Sequence, residues 1–152
     1  MVSTLVHAGF ALLLGVTLLV LALGVLSFAG IGAWPALRIA VAAEVGAKLG
    51  MAVVIGYGRP AHEGLGSQLV GAVDHRAVAP AVIVSLPAVA AAPGGMAPAL
   101  LAAVLTGVAV GAAVLTWGRR TLGGVSGDLI GATNELGRAI ALHVGVSVWI
   151  LT

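Results

Sequence analysis

Near the C-terminal end of the chain, the stretch GGVSGDLIGATNELGRA, residues 123–139, concentrates side chains that could do chemistry: Asp128, Asn134, Glu135 and Arg138. Asp128 and Glu135 are seven positions apart, so on a helix of about 3.6 residues per turn they share one stripe about two turns long. Gly131, Ala132 and Ala139 keep that stripe small and open. Two carboxylates converging at a membrane surface can hold a divalent cation such as Mg²⁺, which takes hard oxygen ligands and completes its shell with water and substrate phosphates. The plain alternative is that Asp128 caps the helix and Glu135 pairs with Arg138 at i, i+3. Just ahead, Gly123, Gly124 and Gly127 with Ser126 give a backbone able to aim N–H groups at an anion beside the positive end of a helix dipole. Taken together these residues read as a phosphate cradle next to a metal ligand; taken alone, a glycine turn before a helix is common.

Two further sets of residues could serve the same chemistry. Glu44 and Lys48 stand at i, i+4 inside an apolar run, where an ionisable residue costs about 2.5 kcal/mol or more and so asks for a partner or a water-lined cavity. They can pair with each other, or face a cavity and orient a polar substrate. His62 and Glu63, in HEGLG, could act as acid/base or hydrogen-bonding groups, histidine being the side-chain type that titrates near neutral pH. A solvated loop is the plain reading of that pair, and of the cluster Asp74, His75 and Arg76.

These residues need elements to hold them, and composition says what kind. The 152 residues are 61% hydrophobic and 8% charged, far from the roughly one-quarter charged composition of a soluble domain, so the chain reads as an all-α, polytopic integral membrane helix bundle forming a single domain over residues 1–152. Its length allows about five spans of ~20 residues: 5–29, 36–57, 77–92, 96–117 and 128–151. Pro80 and Pro87 predict a kink or tilt in the third. The abundant Gly and Ala suit close helix packing in a bilayer. Two polar connections, residues 58–76 and 118–127, hold Arg59, Arg76, Arg119 and Arg120, against Arg38 at the other edge, which places both connections and the N-terminus in the cytoplasm of a multi-pass cell-membrane protein. The net charge of +2 is scattered and not interleaved with aromatics, which argues against a nucleic-acid partner, and the lack of cysteine removes thiolate chemistry.

AEVGAKLGMAVVIGYGRPAHEGLGSQL followed by GGVSGDLIGATNELGRAIALH resembles the second half of the cobalamin synthase family, the adenosylcobinamide-GDP ribazoletransferases. The terminal motif is the more specific, matching at Gly123, Gly124, Ser126, Gly127, Asp128, Gly131 and Ala132. The family's first half holds an acidic His-x-Asp-Gly-Leu-x-Asp motif that does not occur here, so the chain is expected to be the C-terminal part of a longer pattern. The resemblance implies a Mg²⁺-dependent transfer in which α-ribazole, or its 5′-phosphate, attacks the cobinamide phosphate of adenosylcobinamide-GDP and releases GMP. Carried onto this chain, it makes Asp128 the metal ligand and Glu135 its helper, with the 123–127 turn on the diphosphate. Glu44, Lys48, His62, Glu63 and Asn134 would then line the substrate pocket. The lipid bilayer is one partner, and a second copy of the chain or the missing N-terminal half the other to expect. The runner-up is a non-enzymatic membrane component, such as a small permease subunit, in which the same charges are internal salt bridges.

Overall fold

The computed structural model describes residues 28, 30–90 and 92–152, and every described element is a helix or a turn apart from one isolated bridge. The first expected span, residues 5–29, lies outside the described residues except for Phe28. Three long helices make the frame: α1 (Ala33–Tyr57), α5 (Ala97–Thr121) and α6 (Gly127–Leu151), each of 25 residues and packed against the other two. At about 1.5 Å per residue each runs some 37 Å, more than a ~30 Å hydrocarbon core. Of the three, α1 and α5 are both long and apolar enough to cross a membrane. The polar first half of α6, with Asp128, Glu135 and Arg138, sets that helix apart from the other two.

Between α1 and α5 the chain forms α2 (Leu65–Ala72), a single 3₁₀ turn (His75–Ala77), α3 (Val78–Ser85) and α4 (Pro87–Ala90). The kink expected in the third span is a break before Pro87. Pro87 has no N–H to continue α3, and the helix closes instead on a tight bond from Leu86 N–H to the Ile83 carbonyl at 3.2 Å. Pro80 makes no kink, because it sits in the first turn, where a missing N–H breaks no helical bond. In these short pieces the chain runs back beside α1, from Val78 against Gly56 to Pro87 and Ala88 beside Trp34 and Leu37.

The bundle is held at two levels. Ile39, Leu49, Leu100 and Val146 lead one buried cluster; Val54, Leu115, Val125, Leu129 and Ile130 make a second beside the polar connections. Between α1 and α5 the backbones themselves touch. A Cβ on Gly46 would stand 2.8 Å from Val104 Cα, and one on Gly111 would stand 2.5 Å from Gly50 Cα. Gly46 and Gly50 on one helix meet Gly107 and Gly111 on the other, the small-xxx-small spacing that lets helices approach without a side chain between them.

Candidate functional site

The two polar connections meet at one end of the bundle. Ala61 N–H donates to the Val125 carbonyl at 3.0 Å and Val125 N–H donates to the Arg59 carbonyl at 2.7 Å, a parallel bridge between Pro60 and Val125. Arg119 Nη2 adds a bond to the Tyr57 carbonyl at 2.5 Å. Gly123, at φ +75°, takes the left-handed conformation that turns the chain from α5 into α6. Gly66 packs so tightly that a Cβ there would lie 2.9 Å from Gly127 Cα. Gly66→Ala is therefore expected to push α2 off the start of α6, lowering the melting temperature by several degrees, since an overpacked backbone contact costs about 1–3 kcal/mol. An unchanged melting temperature would show that the junction is slack.

Ser126, in extended conformation, caps α6: its Oγ accepts from Leu129 N–H at 3.3 Å. Ser126→Ala is expected to cost about 1 kcal/mol of stability, readable by thermal unfolding. Because serine holds the cap, the alternative that Asp128 is spent as the cap does not hold. The Asp128 carboxylate is exposed and, among the described residues, makes no hydrogen bond or ion pair. It lines a groove of about 360 Å³ with His62, Gly64, Gly66, Ser67, Ser126 and Gly127. His62 Nδ1 is 3.1 Å from the Glu63 carbonyl oxygen, to which it can only donate. Glu63 is exposed and does not line the groove.

The glycine turn offers fewer donors than its composition promises. Gly124 N–H is spent on the Gly118 carbonyl at 3.2 Å and Val125 N–H on Arg59. What faces the groove is the first turn of α6, where the N–H groups of Gly127 and Asp128 have no intrahelical acceptor and the helix dipole is positive.

Glu135 belongs to a different cluster. Lys48 Nζ lies 3.0 Å from Glu44 Oε1 and donates to Asn134 Oδ1 at 2.8 Å; Asn134 Nδ2 donates to Glu135 Oε1 at 3.0 Å. Arg138 closes the ring, donating to Glu135 Oε2 and standing 3.6 Å from Glu44 Oε2. Both i, i+4 and i, i+3 pairs form, and Lys48–Asn134 and Arg138–Glu44 join α1 to α6. Convergence of Asp128 and Glu135 on one ion is thereby corrected: the two are about 10 Å apart along the helix axis, and both Glu135 oxygens are engaged. These side chains are partly exposed, so each pair would be worth only about 0–1 kcal/mol in water. Against a cost of roughly 2.5–3.5 kcal/mol for a charge at the centre of a membrane helix, the gain lies in neutralising four charges at once. Beside the ring, Glu44 and Lys48 also border a largely apolar groove of about 460 Å³ walled by Pro80, Ala81, Val84 and Ser85.

Sequence reasoning missed Gly66 and Ser67 as part of the Asp128 groove. The signal lay in the small-residue run after Glu63, which a closely approaching backbone requires. It also missed the Lys48–Asn134 bond, which no local spacing encodes.

Fold and site define a bundle of long apolar helices whose polar connections join at one end around an unpaired carboxylate and a helix N-terminus. Residues 7–146 match the Cobalamin-5-phosphate synthase family. The chain belongs to that family. Among its relatives, an adenosylcobinamide-GDP ribazoletransferase of Haloquadratum walsbyi is 39% identical over 96% of this chain and 58% of its own length. Those of Halorubrum lacusprofundi and Halobacterium salinarum are 47% and 40% identical, over 76% and 84% of this chain and 44% and 63% of their own lengths. The chain thus spans about half to three-fifths of these relatives. No solved structure matches it.

Proposed function

We propose that this chain supplies one side of the active site of an adenosylcobinamide-GDP ribazoletransferase, a multi-pass enzyme of the cell membrane acting late in cobalamin biosynthesis. About five membrane segments make it up: residues 5–29, α1, the broken α3–α4 segment, α5 and α6. The joined polar connections face the cytoplasm.

The observation that carries this reading is the free Asp128 carboxylate beside His62 and the first turn of α6, in a groove open to an anionic ligand. In the reaction a ribose hydroxyl that is free both in α-ribazole and in its 5′-phosphate form bonds through its oxygen to the cobinamide phosphorus. The bond to the bridging diphosphate oxygen breaks, GMP leaves with that oxygen, and the proton of the attacking hydroxyl is released. The positive end of α6 suits the diphosphate, and His62, in the same groove, is the side chain placed for acid/base or hydrogen-bonding work.

Mg²⁺ fits the donor set. Among the described residues no three acidic, His or Cys side chains cluster into a protein-only cage, and Mg²⁺ is ordinarily held by one or two carboxylates together with water and phosphate oxygens. Asp128 would hold it, and the ion would neutralise phosphate charge. The ring of Glu44, Lys48, Asn134, Glu135 and Arg138 fixes α1 against α6, and Glu44 and Lys48 would meet the substrate from the groove they border beside Pro80. Further ligands would come from the part of the family sequence that this chain does not match, or from a second copy.

The test is GMP release from adenosylcobinamide-GDP with α-ribazole and Mg²⁺, by membranes carrying the chain alone or together with the unmatched segment of a relative. GMP in either case supports the reading, and the two cases say whether the chain suffices. No GMP in both would overturn it in favour of a non-enzymatic membrane component.

A further inference from the structure

The face of α5 turned away from α1 and α6 is graded from end to end. Leu101, Leu105 and Ala109 follow one another at i, i+4 and are exposed; Leu101 and Leu105 are bulky and leave Ala109 recessed. The same face then continues through Ala112, Ala113, Thr116, Trp117, Arg120 and Thr121, which line a shallow groove of about 510 Å³. Small residues make its floor, Trp117 makes one wall and is 52% exposed, and a guanidinium stands at its polar end. Thr116 Oγ1 donates to the Ala112 carbonyl, so it adds no free donor to the floor.

Arg120 is the informative residue. Its neighbour Arg119 is tied to Tyr57, but Arg120 is exposed and, among the described residues, has no ion pair or hydrogen bond. Complementing the C-terminal end of the helix dipole explains a cation in this turn. It does not explain why the groove beneath is apolar, walled by tryptophan, and aligned with the helix axis. From Arg120 to Ala109 is about 16 Å along α5, close to half of a ~30 Å hydrocarbon core, which is the depth one acyl chain reaches. An exposed tryptophan one turn from an arginine, at the boundary between apolar helix and polar connection, is the arrangement found at headgroup level.

We propose that this groove binds a phospholipid with an anionic headgroup, the phosphate on Arg120 and Thr121 and one acyl chain along Ala112, Ala113 and Ala109. The site lies on the opposite side of α5 from the Gly107 and Gly111 crossing and is separate from the Asp128 groove. It rests on the membrane reading given above, not on the reaction.

The full chain, purified in mild detergent, is offered phosphatidylglycerol and phosphatidylcholine at equal concentration, and bound lipid is counted by native mass spectrometry. Wild type is expected to retain phosphatidylglycerol about fivefold over phosphatidylcholine, the preference one basic residue at an anionic surface confers. Arg120→Gln should bring the ratio near one. Arg76→Gln, an exposed arginine outside the groove, should leave it unchanged. Equal retention of both lipids by wild type, an unaltered preference in Arg120→Gln, or an equal loss in Arg76→Gln each overturns the proposal. Displacement of the lipid by soluble glycerol phosphate would also overturn it, marking a free-phosphate site. If wild type retains neither lipid and appears in the soluble fraction, the membrane reading falls with it.

Discussion

Asp128→Asn, in membranes that release GMP with the wild-type chain, is expected to lower turnover roughly 10²-fold or more, the loss typical when one preorganised electrostatic partner of a transition state is removed. Asparagine keeps the size of the side chain and leaves the Ser126 cap untouched, so stability should hold while activity falls. The sign of the mechanism can be read separately. If the carboxylate holds Mg²⁺, the variant should need several-fold more of the ion to reach half of its own maximal rate. A lower rate with an unchanged Mg²⁺ requirement would assign Asp128 to substrate instead, and an unchanged rate would remove it from the site.

The second large effect is structural. Gly107→Leu is expected to prevent α1 and α5 from closing, so that the chain elutes as aggregate or is cleaved rapidly by added protease. A Cβ at Gly107 would already lie 2.5 Å from the Gly46 carbonyl oxygen and 2.6 Å from Ala47 N, backbone atoms that cannot rotate away. Replacing glycine by alanine inside a helix gains up to about 1 kcal/mol of propensity, and overpacking costs about 1–3 kcal/mol, so even Gly107→Ala should destabilise. Gly131 is the internal comparison: nothing stands within 4 Å of where its Cβ would be. Gly131→Ala should therefore raise stability by roughly 0.5–1 kcal/mol. Thermal unfolding of the two alanine variants should shift in opposite directions; a shift in the same direction would mean the crossing is looser than drawn.

The long helices were legible because their signal is local. Runs of apolar residues bounded by GIGAWP, PGGM and GGVSGD place α1, α5 and α6 to within a few residues. The Glu44–Lys48 and Glu135–Arg138 pairs were legible for the same reason, since helical spacing alone brings them together. The broken third segment was foreseen as a kink, and the distinction escaped because the effect of a proline depends on its position within a turn: Pro80 is harmless and Pro87 is not. Membership of Asp128 and Glu135 in separate clusters could not be read, because periodicity gives a shared stripe but not what stands opposite each position. His62 faces one, and Lys48, through Asn134, and Arg138 face the other. Serine in place of aspartate as the cap is a choice between two neighbouring residues of similar propensity, which only geometry decides.

The bond from Arg119 to the Tyr57 carbonyl joins residues 62 positions apart. It bears on when the site comes into being as the chain is made. The Asp128 groove cannot close while only the first connection has been synthesised, because that connection supplies His62, Gly64, Gly66 and Ser67 alone, and Ser126, Gly127 and Asp128 come with the second. Bringing ends so distant together carries a loop-closure entropy that the packing of α1, α5 and α6 offsets. This end of the bundle therefore depends on contacts between residues far apart in sequence. A chain that ends before residue 123 would carry the HEGLG loop with no carboxylate opposite it.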